Sequence, residues 1–167
     1  MADKPQVMAS EPFETAQAQG TPTVRQQSVF IDNRVGQLLR LTRLFDDTDI
    51  RILALSQLFA HDCGICRMLL DDPDTAQEVL SGAGFQISES ELIVVSLPHG
   101  KRGLLHTWVA LLRGEVNVHY TYPLLIRPRR SAAIAVCTDS IDQAADVLRE
   151  SKFELLDQQD LLEARFE

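Results

Sequence analysis

Ser28-Val29-Phe30-Ile31-Asp32-Asn33-Arg34-Val35-Gly36-Gln37-Leu38 is the stretch that decides the fold. A short β-rich run ends at Ile31, a polar loop with one glycine follows, and Leu38, Leu41, Leu44 and Phe45 then recur at helical spacing. The sequence therefore opens strand, loop, helix. Ile50 to Leu55 reads as a second strand, Ala60 to Cys63 as a turn, and Gly64 to Leu70 as a third strand. Asp72-Pro73 starts a helix, with a capping carboxylate followed by proline at the first helical position. Ala76, Val79 and Leu80 form its apolar face, Gly82 and Gly84 end it, and Phe85-Gln86-Ile87 is the fourth strand.

The same order then repeats. Leu92 to Leu97 is a strand and Pro98-His99-Gly100-Lys101-Arg102-Gly103 a loop. Leu105, Trp108, Val109 and Leu112 recur at i, i+3, i+4, i+7 and predict the buried stripe of a helix. Val116 to Tyr120 alternates as a strand, Pro128 marks a turn, and Ala132 to Cys137 is the next strand. Ile141, Ala144, Ala145 and Leu148 give a helix face, and Phe153 to Leu156 closes the copy. Gly36 maps onto Gly103 at an offset of 67, Ile50 and Ile52 onto Val116 and Val118 at 66, and Ala76, Val79, Leu80 and Phe85 onto Ala144, Val147, Leu148 and Phe153 at 68. The offset changes only in connecting segments, where insertions are tolerated. A period of about 67 residues is too long for a solenoid unit and suits a duplicated small domain.

Strand-helix-strand-strand-helix-strand is the ferredoxin-like order, an antiparallel sheet with both helices on one face. The expected fold class is α+β, two βαββαβ domains in tandem. Residues 1–25, with Pro5, Pro12 and Pro22, read as a disordered tail or as a segment that orders on a partner. Residues 26–90 form the first domain, and 91–167 the second with an acidic tail that reads as a short helix. A unit of this size is marginal alone and has open sheet edges, so the copies are expected to cover each other.

Ser28 to Leu38 and Leu97 to Leu104, in register within two matching patterns, resemble the opening of an ACT domain: an apolar strand, an acidic or amide residue, a glycine-containing loop, then a leucine on the first helix. Val35 stands where proline is commoner, and Lys101-Arg102 replace small residues in the second loop. The resemblance spans about residues 27–157. It implies a tandem ACT protein, from a class that binds amino acids or similar effectors and regulates partner enzymes. It also implies sites where one domain's first loop meets a neighbouring domain. The loop pattern is similar, too, to the regulatory subunit of acetolactate synthase. That subunit usually carries one such domain before a different one, whereas this chain repeats its own pattern.

The residues support a ligand site on their own terms. A glycine beside a helix start admits close backbone approach, and the free N–H groups of the first turn suit a carboxylate. An amino acid has that carboxylate, and its ammonium suits Asp32, Asn33 or backbone carbonyls. The candidate ligand-binding residues are Asp32, Asn33, Arg34, Val35, Gly36, Gln37 and Leu38 in the first loop, and Gly100, Lys101, Arg102, Gly103 and Leu104 in the second. The first loop is nearer to a ligand-competent pattern. In the second, the cations add attraction for an anion or fill the pocket. Against both stands the plain reading that Gly36 and Gly103 only permit tight turns.

Other chemistry finds little support. Cys63-Gly64-Ile65-Cys66 falls on a strand, where positions i and i+3 face opposite ways, and no second ligand pair accompanies it for zinc. Cys137 reads as a small core residue, Trp108 as core, and His119 as a sheet-surface residue. Arg127-Pro128-Arg129-Arg130 reads as a solvated basic turn or a contact for an acidic partner. No nucleophile motif or glycine-rich phosphate loop occurs, so neither catalysis nor a cofactor is expected. The 167 residues carry 16 Lys and Arg against 24 Asp and Glu, net −8, which argues against a general nucleic-acid or anionic-membrane binder. Three cysteines cannot all pair, so a reducing, cytoplasmic setting is expected, and the apolar runs are too short to span a bilayer. The expected partners are an amino-acid effector, a second copy in a homodimer, and a larger enzyme subunit.

Overall fold

A computed structural model describes residues 20–164. Most of the segment read as a tail, residues 1–19, therefore lies outside the described residues. The first strand, β1 (Val24–Asp32), begins two residues inside that segment. The elements that follow are α1 (Gln37–Arg43), β2 (Ile52–Ala60), β3 (Cys63–Leu70), α2 (Pro73–Gly82), β4 (Gln86–Ser96), α3 (Gly103–Arg113), β5 (Val118–Pro123), β6 (Ala133–Thr138), α4 (Ile141–Glu150), β7 (Glu154–Leu156) and α5 (Gln158–Glu163). The fold is α+β, two ferredoxin-like modules in tandem, and every strand pairing is antiparallel. The acidic tail forms α5, whose Asp157 and Asp160 make a reciprocal capping box.

The two strands expected at Phe85–Ile87 and Leu92–Leu97 are one strand. The Gln86–Leu92 half of β4 pairs with β1, and the Ile93–Ser96 half pairs with β6, while β7 lies along Val94–Ser96 on the other side. The polar residues Ser88 to Glu91 look like a linker in sequence. They are strand residues because they pair with β1, Ser88 against Ser28 and Ser90 against Gln26, while their polar side chains face solvent. The expected domain boundary at residues 90/91 thus falls inside a continuous element.

Side-chain alternation along β4 explains the architecture. Ile87, Ile93 and Val95 face outward to the helices, and Leu92 and Val94 face inward. The sheet, in the order β2-β3-β1-β4-β6-β5, curls until its ends meet: Ala54 bridges Leu124, and the Leu125 N–H donates to the Leu53 carbonyl at 2.8 Å. The curl encloses a core shared by both modules, including Val24, Leu69, Leu92, Val94, Tyr122, Leu156 and Leu161. Helices α1 and α2 cover the outer face of the first half over Val29, Leu41, Met68 and Leu80. Helices α3 and α4 cover the second over Ile93, Leu111, Val136 and Leu148. A polar tie crosses the shared core: Tyr122 Oη donates to Gln26 Oε1 at 2.7 Å, and Gln26 Nε2 donates to Tyr120 Oη at 2.9 Å.

The expected stripe on α3 is the reverse of the observed one. Gly103, Thr107, Ala110 and Leu111 are buried, whereas Leu105 is 56% and Leu112 75% exposed. Small residues let the helix lie close: a Cβ at Gly103 would sit 2.5 Å from the Pro98 carbonyl oxygen. The close seat leaves the large apolar side chains outside. Trp108 is partly buried against the second core. No helix of the described residues is long and apolar enough to cross a membrane.

Candidate functional site

The first loop joins β1 to α1 at the end of the molecule where β4 begins. Its turn needs a left-handed residue, and Gly36 supplies it with φ of 87°. A Cβ there would meet nothing within 4 Å, so glycine serves backbone conformation rather than close packing. Asn33 is committed to the β2–β3 hairpin: its N–H donates to the Asp62 carbonyl at 2.9 Å and its Nδ2 to the His61 carbonyl at 2.8 Å. Val35 and Arg34 are exposed, and Leu38 packs partly against the first core.

Beside this loop lies a cleft of about 360 Å³. Of the first-loop candidates, Asp32 and Gln37 line it. Arg40, Phe85 and Phe30, which sequence reading did not single out, line it as well. The Arg40 guanidinium stacks over the Phe85 ring at 4.8 Å and donates to the Ala83 carbonyl at 3.4 Å. The cleft thus offers one carboxylate, one guanidinium, the amides of Gln37 and Gln86, and aromatic surface. The repeat holds the signal that pairs these residues. Phe85 is the residue equivalent to Phe153, and Phe153 lines the corresponding groove of the second module together with His106 and Lys152.

The second loop lies at the other end of β4. A strand of that length puts the two loops roughly 30 Å apart. Gly100, Lys101, Gly103 and Leu104 line a cleft of about 310 Å³ there, together with Arg127 and Arg130. Arg102 is the residue flanking α3, and its side chain makes no capping hydrogen bond. Each of these two clefts is built within one module. A further cleft of about 640 Å³ joins the modules, with Arg51 from the first and Arg127 and Arg130 from the second on its walls.

The cysteine pair divides as its spacing predicts: Cys63 is exposed and Cys66 buried. Burial pushes the Cys66 thiol up to about 11, the opposite of what a reactive thiolate needs. Among the described residues, no cluster of His, Cys, Asp and Glu is placed to hold a metal.

A family model for the ACT domain pair matches residues 22–164. No curated protein gives a significant match. Among solved structures, protein BT0572 from Bacteroides thetaiotaomicron is similar, with a TM-score of 0.76 and 26% identity over 84% of this chain and 96% of that one. The regulatory subunit of aspartate kinase from Thermus thermophilus shares the fold at a TM-score of 0.54 and 11% identity, over 78% of this chain and 92% of that one. Its counterpart from Thermus flavus does so at 0.52 and 10%, over 79% and 94%.

Proposed function

Because the chain belongs to the ACT domain pair family, we propose that it is a non-catalytic regulatory protein that binds a small effector, an amino acid, in the cleft beside the first loop. One observation carries this reading: the Asp32 carboxylate, the Arg40 guanidinium and the rings of Phe30 and Phe85 line one cleft. That arrangement complements a zwitterion, with Asp32 for the ammonium and Arg40 for the carboxylate, and it leaves the aromatic surface to select the side chain. Gln37, at the start of α1, adds an amide donor and acceptor. The role considered for Asn33 passes to Asp32, since the Asn33 amide already serves the hairpin. Binding draws Arg40 off Phe85, and the shared strand β4 is the rigid element through which that change reaches the second module. The protein acts in the cytoplasm on enzymes of amino-acid metabolism.

A thermal-shift screen of the twenty amino acids tests this. One of them should give a saturable rise of a few degrees, as expected for a ligand well above its Kd. The rise should vanish in Arg40→Gln and Asp32→Asn. Silence from all twenty refutes the proposal.

A second reading is favoured by the exposed face of α3. Leu104, Leu105, Val109 and Leu112 form an apolar strip on one helix, and such strips mark contact surfaces. On this reading, the chain is a regulatory subunit whose α3 face docks on a larger biosynthetic enzyme such as acetolactate synthase, or pairs with a second copy in a homodimer. Sedimentation of the pure protein and of Leu105→Gln/Leu112→Gln separates these outcomes: a dimer lost in the variant assigns the face to self-association.

A further inference from the structure

We propose that the second module carries a separate binding site for a small anion of charge two or more, built by Lys101, Arg127 and Arg130. The inference goes beyond the effector reading and does not depend on it.

The first observation is charge. The chain is net −8, yet the described residues lining the cleft beside the second loop include Lys101, Arg127 and Arg130 and no carboxylate. The adjoining cleft between the modules shares Arg127 and Arg130, and the described residues on its walls include no carboxylate. Neither guanidinium is ion-paired to a carboxylate among the described residues. Gathering like charges raises free energy unless a counter-charge sits among them.

The second observation is how the loop is held. Arg129 and Arg130 are consecutive non-glycine residues in the left-handed region, with φ of 51° and 61°. Each costs on the order of 1–2 kcal/mol. The intervening Arg129 is clamped by Glu154 on β7 and Asp160 on α5, so its charge is spent on structure. Arg130 N–H also closes the turn onto the Arg127 carbonyl at 2.9 Å. The turn thus fixes one arginine as an anchor and leaves the two flanking it for the clefts.

The third observation is the contrast between modules. In the first, residues 61 and 62 make a short hairpin whose carbonyls accept hydrogen bonds from Asn33. In the second, the equivalent connection is longer, running from residue 124 to 132, and it brings Arg127 and Arg130 to the cleft wall. The first turn of α3, with Gly103 and Leu104 in the cleft wall, adds backbone donors. Planar guanidinium forks suit phosphoryl and carboxylate oxygens alike, so the ligand is a phosphorylated or polycarboxylate small molecule.

Isothermal titration with inorganic phosphate and, separately, with citrate tests the proposal on the full chain. Saturable binding of either probe is expected, weakening at least tenfold in Arg127→Gln/Arg130→Gln and in Lys101→Glu, which leaves the β5–β6 turn untouched. Arg43→Glu makes an equal change of two charges at an exposed position on α1 and should change affinity less than twofold. Binding of phosphate alone assigns a phosphorylated ligand, and binding of citrate alone a polycarboxylate. No binding of either, or an equal loss in Arg43→Glu, overturns the site. The amino-acid response at the first cleft should persist in Arg127→Gln/Arg130→Gln, so failure of one proposal is distinguishable from failure of the other.

Discussion

Tyr122→Phe removes one oxygen from the core that joins the two modules. Tyr122 is 4% exposed and Gln26 fully buried, and the hydroxyl donates to Gln26 Oε1 at 2.7 Å. Burial raises the Tyr122 pKa well above the ordinary phenol value, so the group is a neutral donor across the working pH range. The Gln26 amide nitrogen has its own acceptors, Ser28, Ser90 and Tyr120. Its oxygen depends on Tyr122. Phenylalanine therefore leaves a buried carbonyl without a donor, at a cost of about 1–3 kcal/mol. For a domain of this size, that lowers Tm by roughly 3–8 °C. Because Gln26 lies on β1 and Tyr122 on β5, the loss should appear as a downward shift of a single transition, followed by circular dichroism and by Trp108 fluorescence together. Gln26→Leu combined with Tyr122→Phe should cost less than the sum of the single changes, since both partners are then gone. An unchanged Tm, or two transitions of which only one moves, would show that the modules do not fold as one unit through this core.

Other expectations follow from particular contacts. Arg25 bonds both Asp74 at 2.8 Å and Glu89 at 2.8 Å and holds both carboxyls below their usual pKa. Groups depressed in the folded state contribute stability above their unfolded pKa of about 4 and lose it as pH falls through the lower folded values. Tm should therefore drop below about pH 4, and Arg25→Gln should flatten that acid limb in a pH series of melts. Gly103→Ala places a methyl group 2.5 Å from the Pro98 carbonyl oxygen, a backbone atom with little room to yield, and should cost about 1–3 kcal/mol in urea unfolding. Lys152 holds the left-handed position after α4 that Gly84 holds after α2, with φ of 66° and 81°. Lys152→Gly should therefore stabilise by roughly 0.5–1 kcal/mol. Cys63 should alkylate rapidly in the native protein and Cys66 only on unfolding, read by mass spectrometry.

Much of the fold was legible because its determinants are local. Asp72 accepts from the Thr75 N–H at 3.1 Å with Pro73 behind it, as the Asp-Pro pair announces. Ala144, Ala145 and Leu148 face the core, as their spacing requires. The candidate site was legible in part. Asp32, Gln37, Lys101 and Gly103 do line clefts, but Arg40, Phe85, Arg127 and Arg130 come from other elements, and their convergence depends on how those elements pack. The α3 stripe misled because hydrophobicity marks what prefers burial, whereas close approach here favours the small face of the helix.

Sequence by itself determined the repeated order of strands and helices, the glycine-bearing loops and the acidic balance, since each follows from residue type and spacing within a few turns of chain. Tertiary structure alone decided that Gln86–Ser96 is one strand shared by both modules, that the sheet curls to join Ala54 to Leu124, and that Arg127 and Arg130 flank a cleft. Those outcomes rest on contacts between residues tens of positions apart, where the balance of burial, charge and backbone strain is struck only once the whole chain has closed on itself.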